Sequence, residues 1–280
     1  MTIRIVTDSA GDITHEDADE HGIEVVPLTI RFGDDEFTDW TELSVDRFYE
    51  MMDERDELPA TAAPAPGAFT QVFSELEASG ATGVCCINLS ADLSATMQSA
   101  RTAAAEFDGA IDVKVLDSRS ITRGLGCIAI EAAETAKAGA SMEELTELVS
   151  NRSSRTHVFG VLDSLDNLRK GGRIGGAQAF LGSILSIKPI IDISTGSVEE
   201  AGRQRTRKRA LGWLRDRIVE AGNIEKLSIL HANASDIDLF MSMLDEKIDI
   251  GDVYVDKIGP VIGAHGGQGV MGAAWQQSVP

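Results

Sequence analysis

The sequence predicts an α/β protein of two lobes: a first lobe on a mainly parallel sheet with helices on both faces, and a smaller second α/β lobe. Three observations carry this. Over the first half, short β-rich runs alternate with helix-forming segments, the pattern of strands joined by helical crossovers. Near Arg155 the texture changes, and glycine-dense and basic stretches begin, which divides the chain into lobes 1–155 and 156–280. Turns rich in Ser, Asp and Gly follow the strand-like runs, as they do at the carboxyl ends of open parallel sheets, where ligands bind.

Taken in order, Ile3–Thr7 is a short apolar strand that runs into the polar turn Asp8-Ser9. Glu24–Phe32 reads as one strand, and Gly33-Asp34-Asp35 as the turn of a hairpin continuing through Glu36–Asp39. Ser44 is placed to cap a helix reaching about Arg55, and a second helix covers Phe69–Ala78. Gly83–Asn88 and Asp112–Leu116 are β-rich, each ahead of a helix-forming segment that begins near Ser94 and Thr122 respectively. Ser141-Met142-Glu143-Glu144 fits a capping box, in which the serine and the second glutamate satisfy free N–H groups at a helix start. Beyond 155, His157–Leu162, Lys188–Ile193, Lys226–His231 and Asp252–Lys257 read as strands. A long basic helix is expected over Arg203–Ala221 and a further helix over Ser235–Lys247.

Composition narrows the function classes. Asp and Glu number 45 against 25 Lys and Arg, a formal net charge of −20. Such a shell repels phosphate backbones and anionic headgroups, which argues against nucleic acid and membrane surfaces as partners. No run of ~18 apolar residues is present, so stable membrane insertion is not expected. The start of the chain lacks the features of a secretion signal, and Cys85, Cys86 and Cys127 suit neither a disulfide framework nor a zinc site. The expected compartment is therefore the reducing cytoplasm. His15, His21, His157 and His231 show no metal-ligand spacing, and no cofactor is expected.

The first site candidates are the polar residues after predicted strands: Asp8 and Ser9, Ser90 and Ser94, Asp117 and Ser118. Singly, each is more readily an N-cap than a ligand. Three such turns in one lobe point to a shared site, and a helix starting near Ser94 aims free N–H groups at an anion. The stretch Leu168–Gly176 lacks the Gly-Lys-Ser/Thr ending of a phosphate loop, and Gly124-Leu125-Gly126 lies too far from its strand for a dinucleotide turn. His265 stands among the glycines of Gly263–Gly269, which let the main chain approach a partner closely. No Gly-x-Ser-x-Gly elbow surrounds any serine, which disfavours a hydrolase pairing of Ser94 with His265.

The order of the motifs resembles that of the DegV family over essentially the whole chain. The resemblance rests on Val6-Thr7-Asp8-Ser9, on Leu93-Ser94-Ala95-Thr96-Met97-Gln98-Ser99-Ala100 and on Leu116-Asp117-Ser118. It continues through the run from Leu165 to Ile174 with its Lys-Gly-Gly-Arg core, Ile187-Lys188-Pro189-Ile190, and the Gly-x-His-x-Gly segment around His265. What it implies is a two-lobed protein that holds one long-chain fatty acid non-covalently in a tunnel between the lobes and performs no catalysis itself. In that family a threonine of a Thr-Ser-Gln-Pro motif and a serine of a Leu-Ser-Gly-Thr motif hold the carboxylate. The matching positions are Thr61 and Ser94; a nearby histidine and the arginine of Gly-Gly-Arg correspond to His265 and Arg173. Bacterial members present the acid to a separate fatty acid kinase, which is the implied partner, and Arg203 and Arg205 on the basic helix are candidates for its docking surface. Asp8, Ser9 and Ser118 are candidates to line the site.

Three departures stand out. Ala62 and Ala63 replace Ser-Gln, Ala95 replaces glycine, and Gly266-Gly267-Gln268-Gly269 replaces Thr-Gly-Pro-Gly. The hydroxyls for a carboxylate are retained. Two alternatives are a carrier of a prenyl-type lipid and a phosphotransferase resembling dihydroxyacetone kinases; the second is disfavoured because no ATP loop or metal-binding carboxylate cluster is recognisable.

Overall fold

The structure, a computed structural model, describes residues 2–182, 187–251 and 253–278. β1 (Ile3–Asp8) leads through α1 (His15–His21), opened by a Thr14–Asp17 capping box, to β2 (Ile23–Val26), its parallel neighbour. Pro27 has no N–H to continue that ladder, and the Leu28 N–H turns instead to Ser9 Oγ at 3.0 Å. The chain expected as one strand over Glu24–Phe32 is thus two. The second, β3 (Thr29–Phe32), forms a hairpin with β4 (Asp35–Thr38). After α2 (Val45–Glu54), β5 (Ala60–Ala62) adds to β3 and makes a small antiparallel sheet. Then α3 (Pro66–Ala78), β6 (Gly83–Asn88), α4 (Thr96–Glu106) and β7 (Asp112–Asp117) complete a parallel sheet of order β2-β1-β6-β7.

Strand periodicity sorts this sheet's side chains between two cores. Val6, Val26, Val84 and Cys86 pack under α3 and α4 against Phe69, Phe73 and Ala100. Ile3, Ile5, Cys85 and Ile87 face the other way, toward α5 (Thr122–Lys137) and α6 (Met142–Arg155). The expected Ser141–Glu144 capping box is present at the start of α6. Helix α5 is buried on nearly every side, and its alanines and glycines explain how: the Gly126 main chain packs directly on Gly11.

The second lobe contains β8 (Thr156–Val161), α7 (Asp166–Lys170), β9 (Lys188–Asp192), β10 (Glu199–Gln204), α8 (Arg207–Ala221), β11 (Ile224–His231), α9 (Ile237–Asp245), β12 (Tyr254–Lys257), α10 (Pro260–Gly266) and β13 (Met271–Gln277). The strands form one sheet of order β10-β9-β8-β13-β11-β12, antiparallel except for the β11–β12 pair. Phe159, Val161, Ile190, Ile229, Met271 and Trp275 share one core with Leu211 and Leu214 of α8 and Phe240 of α9. Val158, Leu162, Ile191, Leu230 and Ala274 face the first lobe, so α5 lies between the two sheets and touches β1 and β13 alike.

Two expectations need correction here. The basic run is not one helix over Arg203–Ala221: residues up to Gln204 pair antiparallel with β9, and Thr206 caps a helix that begins only at Arg207. Arg203 therefore sits on a strand, paired with Glu200 at 2.8 Å, and Arg205 lies in the link before α8. The strand expected over Asp252–Lys257 is described from Tyr254, and Asp252 itself lies outside the described residues.

Polar contacts join the lobes across β12 and α10. Tyr49 Oη donates to the Ile258 carbonyl at 2.8 Å, and Lys257 pairs with Asp46 at 2.5 Å. The Arg123 guanidinium lies 4.0 Å from the Tyr254 ring centre while pairing with Asp17 at 2.7 Å.

A tunnel between the lobes as candidate functional site

Between the sheets lies a cavity that, counted with the open space at its mouth, spans about 870 Å³. Its walls are aliphatic: Leu28, Leu89 and Ile121 from the first lobe, and Val158, Leu162, Ile191, Leu230, Ile258, Val261 and Ile262 from the second. Thr61, Ser94, Arg173 and His265 line it too, and a chain of contacts links them. Thr61 is held by pairing with Ile30, which leaves its hydroxyl 2.9 Å from His265 Nε2. The other ring nitrogen of His265 packs on Gly171, where an added Cβ would come within 2.5 Å of Nδ1. Arg173 bridges the lobes, donating from Nη1 to the Gly171 carbonyl at 2.7 Å and from Nε to the Leu93 carbonyl at 3.2 Å. Leu93 precedes Ser94, whose Oγ accepts the Thr96 N–H at 3.2 Å at the start of α4. That helix begins two residues later than expected, and Ser94 rather than an outside anion takes the free Thr96 N–H.

The electrostatics suit an anion. His265 is pushed down to about 4, by burial first and then by the positive charge of Arg173, so it is neutral at pH 7. Among the described residues its Nδ1 has no hydrogen-bond partner. If Nε2 carries the proton it donates to Thr61 Oγ1, and the Thr61 O–H is then free to donate into the tunnel. Arg173 has five N–H donors and commits only some of them to the two carbonyls. The Thr61 hydroxyl, a fixed guanidinium and the Ser94 hydroxyl, all partly buried, can thus hold a carboxylate, while the apolar walls can take a hydrocarbon behind it.

Asp8, Ser9 and Ser118 lie elsewhere and do not line the tunnel. Asp8 is fully buried, accepting from the Leu89 N–H at 2.8 Å and Asn88 Nδ2 at 3.1 Å; burial pushes its carboxyl up to about 6. Ser9 accepts the Leu28 N–H, and Ser118 accepts the Ser120 N–H at 3.1 Å. Asp8, which also accepts the Ala10 N–H at 3.1 Å, and Ser118 close turns at strand ends, whereas the Ser9 bond is to a residue distant in sequence. Of the departures, Ala95 has φ −75° and ψ −1°, a conformation open to any residue, so glycine is not needed there. Gln268 reaches out of the site, donating to Asp53 Oδ1 at 2.7 Å. The aliphatic walls were missed from sequence; the signal for some of them was the apolar residues Val261, Ile262 and Val270 flanking the glycines around His265.

Comparison with known proteins decides the family. Residues 2–278 match the family described as "Uncharacterised protein, DegV family". The chain belongs to the DegV family. A DegV domain-containing protein of Streptomyces coelicolor is 34% identical over 274 residues, with 96% of each chain covered. One from Halalkalibacterium halodurans is 34% identical over 277 residues, with 98% of each chain covered. Among solved structures, the DegV family protein from Thermus thermophilus, reported for its fatty acid binding, superimposes with a TM-score of 0.89 at 31% identity, covering 99% of this chain and 100% of that one. DegV of Bacillus subtilis, described as a fatty acid binding protein, gives a TM-score of 0.88 at 32% identity with the same coverage. No described helix is long and apolar enough to cross a membrane.

Proposed function

We propose that this DegV protein binds one long-chain fatty acid non-covalently in the tunnel, with its carboxylate at Thr61, Ser94, Arg173 and His265, and presents that carboxylate to a partner kinase for acyl-phosphate formation. The observation that carries this reading is an aliphatic tunnel whose polar residues form one connected group around a neutral histidine. The solved relatives from Thermus thermophilus and Bacillus subtilis, both described as fatty-acid-binding, support the ligand class.

Energetics agree with a carrier. Burying about fourteen methylenes at ~0.8 kcal/mol each gives roughly 11 kcal/mol before the costs of binding, enough without a covalent bond. The carboxylate cannot be buried unpaired; the Thr61 and Ser94 hydroxyls and the Arg173 guanidinium supply its donors, and His265 orients the Thr61 hydroxyl. The reading assigns catalysis to the kinase and places the protein in the cytoplasm, which the free, buried thiols of Cys85, Cys86 and Cys127 support. The test is mass spectrometry of lipid extracted from the purified protein. One fatty acid per chain is the expected result; repeated absence of any acyl lipid, together with no uptake of added fatty acid, would overturn the reading.

A further inference from the structure

Two glycines occupy places in the second sheet that no requirement of the protein explains. Gly160 of β8 and Gly272 of β13 are direct cross-strand partners in the middle of a six-stranded sheet. Glycine weakens a central strand, and in such a place it marks a bulge or the close approach of something to the main chain. There is no bulge, because the β8–β13 register runs unbroken from Met271–Val161 to Gln276–Thr156. Neither residue has positive φ.

Packing does not demand glycine either. A methyl group at Gly160 would rest 3.4 Å from Leu162 Cδ1 and 3.5 Å from Ile191 Cγ1. At Gly272 it would rest 3.5 Å from the carbonyl oxygens of Leu230 and Phe159. These are ordinary contact distances. Gly126 of α5 is different: a methyl there would come 2.5 Å from the Gly11 carbonyl oxygen, which makes it a packing glycine. Both strand glycines line the tunnel, on the same face as Val158, Leu162 and Ala274. Phe159 and Ala273 line it as well, although their side chains belong to the core on the opposite face. Only their main chain reaches the tunnel, and it does so because the adjoining glycines leave it bare.

We propose that Gly160 and Gly272 form a side-chain-free floor on which the hydrocarbon of the bound lipid lies, and that they determine how much chain the tunnel admits. The inference rests on the fatty-acid reading above and extends it to specificity. Every methylene forced out of contact costs about fourfold in affinity.

The test compares lipid-stripped wild type with Gly160→Ala, Gly272→Ala and the double variant Gly160→Val/Gly272→Val, titrated with decanoate, palmitate and stearate. Each alanine variant is expected to lose about fourfold to fifteenfold in stearate affinity. The double valine variant is expected to lose at least about a hundredfold, with a smaller loss for decanoate. Melting temperatures of the lipid-free alanine variants should equal or exceed that of wild type, because alanine restores chain stiffness in the strand. Three results overturn the proposal: unchanged stearate affinity in the double valine variant, equal losses for decanoate and stearate, or a melting temperature lowered by alanine, which makes the glycines structural. Failure of wild type to take up any of the acids is a different outcome; it removes the ligand class itself.

Discussion

Replacing Thr61 with valine keeps the β-branched shape that the β5 backbone prefers and removes one oxygen. In the structure that oxygen lies 2.9 Å from His265 Nε2, while Nδ1 of the same ring already lacks a partner among the described residues. The variant therefore leaves both nitrogens of a buried imidazole unpaired, a cost of about 1–3 kcal/mol to the lipid-free fold. Bound lipid adds a second loss, since a hydrogen bond to a charged group contributes about 1.5–3 kcal/mol. Affinity for palmitate should thus fall by roughly tenfold to a hundredfold, and Thr61→Ser should recover most of it. Displacement of a fluorescent fatty acid gives the affinities and chemical denaturation of stripped protein gives the stabilities. Wild-type affinity in Thr61→Val would refute the placement of the carboxylate at this residue. Loss in Thr61→Ser equal to that in Thr61→Val would show that shape, not the hydroxyl, is what matters.

Ser94→Ala removes both a tunnel hydroxyl and the acceptor for the Thr96 N–H; it should weaken fatty-acid binding by about 1–3 kcal/mol, while Cys86→Ala, in the core behind the sheet, leaves binding unchanged in the same displacement assay. On acidification His265 and the buried carboxylates act in opposite directions. With its pKa depressed from 6.5 to about 4, His265 stabilises the fold fully above pH 6.5 and loses up to about 3 kcal/mol of that contribution as pH falls toward 4. Asp12, raised by burial to about 7, gives stability that is complete below its unfolded value of 3.8 and is lost as pH rises through 7. Denaturation across this range should show His265→Gln resisting acid better than wild type and Asp12→Asn losing part of the acid-side gain; profiles parallel to wild type would refute both assignments. Arg205→Ala, in the exposed link before α8, should leave melting temperature and lipid affinity unchanged and reduce kinase-dependent turnover of the bound acid, most clearly at low salt where charge is least screened.

Elements whose ends carry strong local chemistry were readable from sequence. β1, β6 and β7 are short apolar runs closed by polar turns, and α2 and α6 start at serines whose hydroxyls do accept the expected N–H groups. What escaped depends on partners distant in sequence. β13 reads Met-Gly-Ala-Ala-Trp-Gln-Gln, with little β-propensity; it is a strand because β8 offers it an unbroken ladder and β11 a second one, interrupted between Glu225 and Ser228. β10 was hidden in a charged run that also suits a helix, and pairing with β9 settles it. α10 opens with Pro260 among glycines that mask its seven residues as a loop. In the site, Thr61 and Arg173 were named through the family resemblance alone, Ser94 and His265 from their local setting as well, and the tunnel gathers all four. Nothing local separated Ser94 from Asp8, Ser9 and Ser118, because a hydroxyl that caps a turn and one that faces a ligand follow a strand in the same way.

The place of β13 in its sheet has a consequence for the life of the nascent chain. It alone bonds β8 to β11, so before it exists β8-β9-β10 and β11-β12 are separate ladders, each with an open edge. It is also the last of the described strands to leave the ribosome, and it carries Gly272, half of the bare floor. A growing chain that has passed residue 266 already holds Thr61, Ser94, Arg173, His265 and most of the aliphatic lining, but lacks the wall that Gly272 and Ala273 of β13 provide. On the fatty-acid reading proposed above, the tunnel is complete for lipid only after β13 is made, and a chain cut short before Met271 is left with the β8 and β11 edges unpaired and an apolar cleft open to water.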